Sequence, residues 1–98
     1  MNSILHSALI ALALFTASAS ADELEDEVAK LNDTYIELRE KLYPAARNHL
    51  IESQSAWIKY RKAACEFSAT INGNRAIFSD CYLSKTKLRI AELEAFVK

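Results

Sequence analysis

Apolar residues recur at steps of three and four along residues 22–42, which is the spacing of one face of an α-helix. The positions in this stripe are Leu24, Val28, Leu31, Tyr35, Leu38 and Leu42. The residues between them are mostly polar or charged, so the pattern predicts an amphipathic helix with one narrow apolar face. Tyr43-Pro44 follows. Because proline is disfavoured inside a helix and favoured in its first turn, the first helix is predicted to end near Leu42 and the second to begin at Pro44.

The second predicted helix runs from Pro44 to about Ser68, and its inward stripe is unusual because it is partly polar. The stripe consists of Leu50, Gln54, Trp57, Arg61, Ala64, Cys65 and Ser68. The only glycine of the chain, Gly73, follows between two asparagines. Glycine in such a setting is typical of a helix end and a turn.

A third helix is predicted to begin between Asn74 and Asp80 and to continue to Phe96. Its inward positions are Tyr82, Thr86, Arg89, Leu93 and Phe96, flanked by Ile90 and Val97. The fold class is therefore all-α, a small three-helix domain in which helices 2 and 3 form an antiparallel hairpin turning at Gly73.

The two cysteines fit this hairpin. Cys65 lies eight residues before Gly73 and Cys81 eight residues after it. Equidistant residues of an antiparallel helical hairpin lie at the same height, where their Cα atoms can come within the roughly 7 Å that a disulfide needs. Redox motifs are usually Cys-x-x-Cys and structural zinc needs four ligands, so a structural disulfide between Cys65 and Cys81 is the favoured interpretation.

The first 21 residues have the features of a secretory signal peptide. An apolar run at residues 8–15 is too short to span a bilayer, and small residues offer cleavage sites, of which the one after Ala21 is favoured. A membrane anchor or a buried helix is the weaker alternative. Residues 22–98 would then be a single exported domain, periplasmic or secreted, stapled by a disulfide and without a stable membrane anchor after cleavage.

The charge is nearly balanced but unevenly distributed. The chain has 12 basic and 13 acidic residues, a net charge of −1, which argues against nucleic-acid binding. Residues 22–43 hold eight acidic and three basic residues, whereas residues 44–98 hold five acidic and nine basic. An acidic first helix lying on two more basic helices is the simplest interpretation.

Polar residues at inward positions are the candidate functional residues. They are Tyr35, Gln54, Trp57, Arg61, Thr86 and Arg89. One interpretation is an internal hydrogen-bond network that fixes how the helices dock, and the other is a polar cleft that faces a ligand or partner. The fold-back also places Trp57 level with Arg89, which predicts a stacking contact between them.

The sequence contains no recognisable catalytic or cofactor-binding motif. His49, the only histidine after residue 21, has no evident nucleophile at helical spacing, and there is no phosphate-binding glycine loop and no His-Glu-x-x-His. We therefore expect a protein that is not an enzyme and that binds no cofactor or metal.

The residues also resemble a known family, the LprI-like lysozyme-inhibitor N-terminal domain family of small exported bacterial proteins. The resemblance rests on the spacing Gln-x-x-Trp-x-x-Tyr-Arg-x-x-x-Cys, followed by a cysteine and Thr-x-x-Arg, and it covers essentially all of residues 22–98. The matching residues are Leu31, Asn32, Tyr35, Leu38, Gln54, Trp57, Tyr60, Arg61, Cys65, Cys81, Thr86, Arg89 and Leu93.

The resemblance implies a disulfide-linked helical domain outside the cytoplasm with a protein partner, lysozyme, whose substrate cleft it would occlude. The chain departs from the family pattern in lacking the cysteine of a lipoprotein signal and a second domain after the helical one. The alternative hypothesis is a non-inhibitory interaction or stress-related module in the periplasm, with an envelope protein or an anionic ligand held by Arg61 and Arg89. The oligomeric state is left open.

Overall fold

The computed structural model describes residues 21–97, which form three α-helices and no strand. The helices are α1 (Ala21–Lys41), α2 (Pro44–Asn72) and α3 (Ala76–Val97). The predicted all-α, three-helix architecture is confirmed. The predicted signal peptide, residues 1–21, lies outside the described residues except for Ala21.

The junction of α1 and α2 forms as predicted, at Pro44. Asp22 and Glu23 lie in the first turn of α1, and Arg39 and Lys41 lie in its last turn. The charges at both ends therefore interact favourably with the helix dipole. Tyr43 is extended and provides no side-chain cap, and Pro44 occupies the first turn of α2, where its missing N–H costs no helical hydrogen bond.

Helix α2 continues to Asn72, four residues beyond the predicted end at Ser68. Nothing in the intervening residues breaks a helix, and the actual end is set by Gly73, which is in the left-handed conformation with φ 60°. The Gly73 N–H donates to the Thr70 carbonyl and the Asn74 N–H to the Ala69 carbonyl, at 3.2 and 3.1 Å. This is the Schellman arrangement that satisfies the last carbonyls of a helix, and it is why the only glycine lies here.

Helices α2 and α3 are antiparallel and joined by the predicted disulfide. Cys65 and Cys81 are bonded, with Cα atoms 5.5 Å apart, and Cys65 is completely buried. Two hydrogen-bonded pairs show the antiparallel direction. Arg61 of α2 bonds to Thr86 of α3, whereas Gln54, earlier in α2, bonds to Arg89, later in α3.

Helix α1 runs parallel to α3. Its salt bridges, Glu23–Lys87 at 3.1 Å and Lys30–Glu94 at 4.0 Å, advance along both helices together. Helix α3 packs extensively against both other helices, whereas α1 and α2 touch each other little. The central position of α3 follows from its two inward faces, one towards each partner.

The apolar core lies where α1 meets α3. Four buried residues form it, with five partly buried residues packed against them. The buried residues are Leu31, Leu38, Ile90 and Leu93; the others are Tyr35, Leu42, Leu50, Trp57 and Val97.

The inward stripe of α3 was predicted wrongly at its end. Phe96 is 75% exposed, and Val97 packs on the core instead. The next inward position after Leu93 is four residues on, at Val97, rather than three residues on, at Phe96. Thr34 and Leu83 are buried although neither was assigned to a stripe. The Thr34 hydroxyl donates to the Lys30 carbonyl at 2.9 Å, so burying it leaves no unsatisfied donor.

Candidate functional site

The predicted polar residues meet mainly between α2 and α3, in a cluster that we call the arginine seam. It consists of Gln54, Trp57, Arg61, Tyr82, Thr86 and Arg89. Helical spacing aligns the α2 members at 54, 57 and 61 and the α3 members at 82, 86 and 89. Antiparallel packing around the disulfide then brings the two rows face to face.

Arg61 is the centre of the seam. It is only 6% exposed, and its guanidinium lies 3.9 Å from the ring centroid of Tyr82 and 4.6 Å from that of Trp57. Its Nη1 donates to the Thr86 hydroxyl at 3.0 Å. Among the described residues it has no carboxylate partner within salt-bridge distance, so the two aromatic faces hold the buried cation.

Two features show that this burial is costly. The Arg61 Nε is buried and makes no hydrogen bond within the described part of the chain. Removal of the guanidinium from water lowers its pKa below the ordinary value, an effect that the nearby Tyr82 partly opposes. Because arginine ordinarily ionises far above neutral pH, the group remains a cation, and its neighbours must compensate for its lost hydration.

Thr86 is completely buried and its hydroxyl is used twice. It donates to the Tyr82 carbonyl at 2.7 Å and accepts from Arg61. A serine or threonine hydroxyl has a single proton to donate, and that proton is already engaged. Thr86 therefore has no donor to offer a ligand.

Arg89 holds the other end of the seam. Its Nε donates to Gln54 Oε1 at 3.0 Å and its Nη2 to Ser53 Oγ at 3.1 Å, while Glu92 lies 3.8 Å from its Nη1. Its guanidinium is 5.8 Å from the Trp57 ring centroid, farther than that of Arg61. Trp57 therefore lies near both arginines. The predicted neighbour, Arg89, is within reach of the ring, but Arg61 is closer.

The geometry of the seam suits an internal packing element. Its two arginines are both bonded within the domain, and the more central one is almost inaccessible. Buried polar groups that are satisfied in this way restrict how two helices can dock. An anionic ligand would have to displace those internal contacts before it could reach Arg61.

Tyr35 stands apart from the seam. It packs against the core from α1, with the Arg39 guanidinium 5.5 Å from its ring centroid. It also lines an open groove between α1 and α2, which we call the α1–α2 groove. The residues that line it are Asn32, Tyr35, Arg39, Glu40, Arg47, Ile51, Gln54, Ser55 and Ile58, and the two parts of the groove meet at Ile51.

The α1–α2 groove is open because both of its helices use their apolar stripes on α3. The part of the groove near the α1–α2 junction has a volume of about 430 Å³, and the part near Tyr35 has a volume of about 260 Å³. Ile51 and Ile58 on its α2 wall are 41% and 46% exposed. Neither isoleucine belonged to the predicted stripes, although their seven-residue spacing marks a second apolar row on α2.

A second groove, the α2–α3 groove, lies beside the seam. Trp57, Tyr60, Lys85, Leu88 and Glu92 line it, around a volume of about 320 Å³. The Lys85 ammonium donates to the Tyr60 hydroxyl at 3.2 Å and lies over the same ring. Leu88 is 63% exposed at its rim.

The outward face of α1 is acidic. Asp22, Glu25, Asp26, Asp33 and Glu40 are exposed and have no partner within the described residues. Within residues 21–97, no group of acidic, histidine or cysteine residues is arranged to hold a metal ion. No helix in that part of the chain has the length and apolarity to cross a bilayer.

Comparison with known protein families identifies a match that covers most of the chain. A family model described as "Lysozyme inhibitor LprI" matches residues 14–93, which include nearly all of α1, α2 and α3. No curated protein and no solved structure matches the chain.

Proposed function

Because the chain belongs to the LprI lysozyme inhibitor family, we propose that it binds a lysozyme-type muramidase and occludes its substrate cleft. The family match over residues 14–93 is the observation that carries this proposal. In this role the protein is a stoichiometric inhibitor that acts by binding and performs no chemistry of its own.

The charge distribution supports such a partner. Lysozymes are often basic, and residues 22–43 carry a net charge of −5. The acidic residues of the outward face of α1 would attract a basic enzyme over several ångströms and raise the rate of encounter. Short-range contacts would then determine how long the complex survives.

Export to the periplasm or beyond is part of the proposal. The apolar run at residues 8–15 and the small residues before Asp22 support a cleaved signal peptide, and the Cys65–Cys81 disulfide suits an oxidising compartment. The intact mass of protein exported from the full chain tests this. We expect a start at Asp22 and one intramolecular disulfide; a product that retains residues 1–21 would contradict the cleavage.

Inhibition is tested directly with the same exported, oxidised protein. Increasing amounts are added to muramidases of several structural types while lysis of a suspension of bacterial cell walls is followed by turbidity. We expect loss of lysis that saturates near an equimolar ratio with at least one enzyme type. Undiminished lysis by every type at micromolar excess of the protein would refute the proposed function.

A further inference from the structure

The α1–α2 groove combines exposed apolar side chains with free polar groups. On its α2 wall, Ile51 is 41% exposed and Ile58 is 46% exposed. The Asn32 amide and the Ser55 hydroxyl line the groove and have no hydrogen-bond partner among the described residues. Apolar contact area surrounded by polar groups that are available for hydrogen bonds is the usual composition of a protein-binding surface.

The charge beside the groove indicates the kind of partner. The α1 helix that forms one wall also carries the five exposed, unpartnered acidic residues of its outward face, whereas Glu23 and Glu37 form salt bridges with Lys87 and Lys41. A basic protein that lies across α1 would place its cations against these free carboxylates.

The end of the groove near the α1–α2 junction is positively charged, in contrast to the acidic outward face of α1. Arg39 and Arg47 line it together with Glu40. Glycoside hydrolases cleave their substrates with a pair of carboxylic acid residues, so the cleft of a muramidase is locally acidic even where the enzyme as a whole is basic. Both signs of charge along the groove therefore have a counterpart on such an enzyme.

We propose that the α1–α2 groove is the surface that docks the muramidase, with Ile51 and Ile58 as its apolar anchors and the acidic residues of α1 as its steering charges. The occupant is a basic glycoside hydrolase that places side chains of its cleft rim into the groove. This assignment rests on the proposed function and names the surface that performs it.

The α2–α3 groove is the competing surface, and its charge disfavours it. Its only acid, Glu92, lies 3.8 Å from Arg89, and Lys85 lies over the Tyr60 ring. Among the residues that line this groove, a basic partner would therefore find no free carboxylate, in contrast to the exposed acids of α1. Leu88 in this groove is also an exposed aliphatic side chain, at 63% against 41% and 46% for the two isoleucines, and it therefore serves as the control position.

The test compares Ile58→Asp with Leu88→Asp in the inhibition assay, using exported, oxidised full-chain product whose helicity is checked by circular dichroism. A central anchor residue typically contributes enough that its loss weakens binding about tenfold or more. We expect the inhibition constant to rise about tenfold or more for Ile58→Asp. For Leu88→Asp, which lies outside the contact, we expect it to change less than about twofold. Ile51→Asp is a second groove variant, so that the proposal remains testable if one substitution impairs folding.

The charge component has its own test. Asp26→Lys combined with Asp33→Lys should slow association with the muramidase about tenfold at low salt, and the difference from the unsubstituted protein should shrink as salt is added. Glu92→Lys is the control at the other groove, and we expect a smaller effect on the association rate per unit of charge.

The possible results separate the two proposals. Unsubstituted protein that inhibits no muramidase contradicts the proposed function and the docking surface with it. Unsubstituted protein that inhibits, together with Ile51→Asp and Ile58→Asp variants that fold and inhibit equally well, overturns the docking surface alone. A loss confined to Leu88→Asp would overturn it as well and would transfer the contact to the α2–α3 groove.

Discussion

The arginine seam and the α1–α2 groove lie on two sides of the same helix and are built in opposite ways. The seam is polar in composition but closed, since Arg61 is 6% exposed and bonded to Thr86. The groove mixes apolar and polar side chains but is open, with Ile51 and Ile58 each more than two-fifths exposed. Gln54 belongs to both, because it accepts a hydrogen bond from Arg89 and also lines the groove.

The difference teaches that polarity and function need not coincide in a domain this small. A buried cation must be compensated by its neighbours, so the unusual polar residues of α2 are engaged in helix docking. Ile51 and Ile58 keep 41% and 46% of their surface exposed, and this apolar surface remains available for a partner. Substitutions in the two regions should therefore have different effects on stability and on binding.

Removal of the disulfide should cause the largest loss of stability. Cys65→Ala combined with Cys81→Ala frees a loop that is closed in the native protein, which in the chain-entropy model costs about 3 kcal/mol of unfolding free energy. Urea unfolding monitored by circular dichroism measures this. A loss of less than about 1 kcal/mol would show that helix packing alone holds the hairpin.

Arg61→Ala should have the next largest effect. It removes the stacking on Tyr82 and Trp57 and the hydrogen bond to Thr86, and we expect a loss of about 2 kcal/mol. Arg61→Lys keeps the charge but not the planar group, and should lose about 1 kcal/mol. Inhibition per folded molecule should be unchanged in both; inhibition that disappears while stability is retained would instead make Arg61 part of a binding site.

Arg89→Ala should cost about 1 kcal/mol, because its hydrogen bonds to Gln54 and Ser53 lie nearer to solvent. Trp57 fluorescence distinguishes the two arginines. Its emission should change more in Arg61→Ala than in Arg89→Ala, since the Arg61 guanidinium is closer to the ring, at 4.6 rather than 5.8 Å. The reverse order would show that Arg89 is the main stacking partner in solution.

Polar substitution in the groove should have the smallest effect on stability. Ile51→Ser and Ile58→Ser each should change the unfolding free energy by no more than about 0.5 kcal/mol, as is usual for exposed positions. Leu93→Ala is the buried reference and should cost about 2–5 kcal/mol. Groove variants as unstable as Leu93→Ala would show that the groove is part of the core.

Much of the fold could be predicted because it depends on local patterns. The three-residue and four-residue steps of α1, the break at Pro44 and the equal spacing of Cys65 and Cys81 about Gly73 are all readable from the chain. Helix α2 was predicted to end about four residues too early, at Ser68, although Gly73 had been identified as a helix-ending residue and does cap the helix. The exposure of Phe96 was predicted wrongly, because spacing alone does not determine which residue of the last turn faces the neighbouring helix.

The site was less predictable for a physical reason. The sequence indicated that Gln54, Arg61 and Arg89 lie inward, but not whether a ligand or the protein itself satisfies them. That depends on distances across two helices, such as Arg61 to Tyr82 and Thr86. The α1–α2 groove was missed because it arises from α1 and α2 both packing on α3, a property of tertiary arrangement to which no single helix pattern corresponds.

Backbone amide NMR of the ¹⁵N-labelled, oxidised protein, titrated with an inhibited muramidase, tests the docking surface most directly. We predict that the largest shift changes fall on residues that line the α1–α2 groove, around Tyr35, Ile51 and Ile58, and on the acidic face of α1. The amides around Arg61 and Thr86 should change little. Changes concentrated at Tyr60 and Leu88, or at the turn around Gly73, would contradict the account.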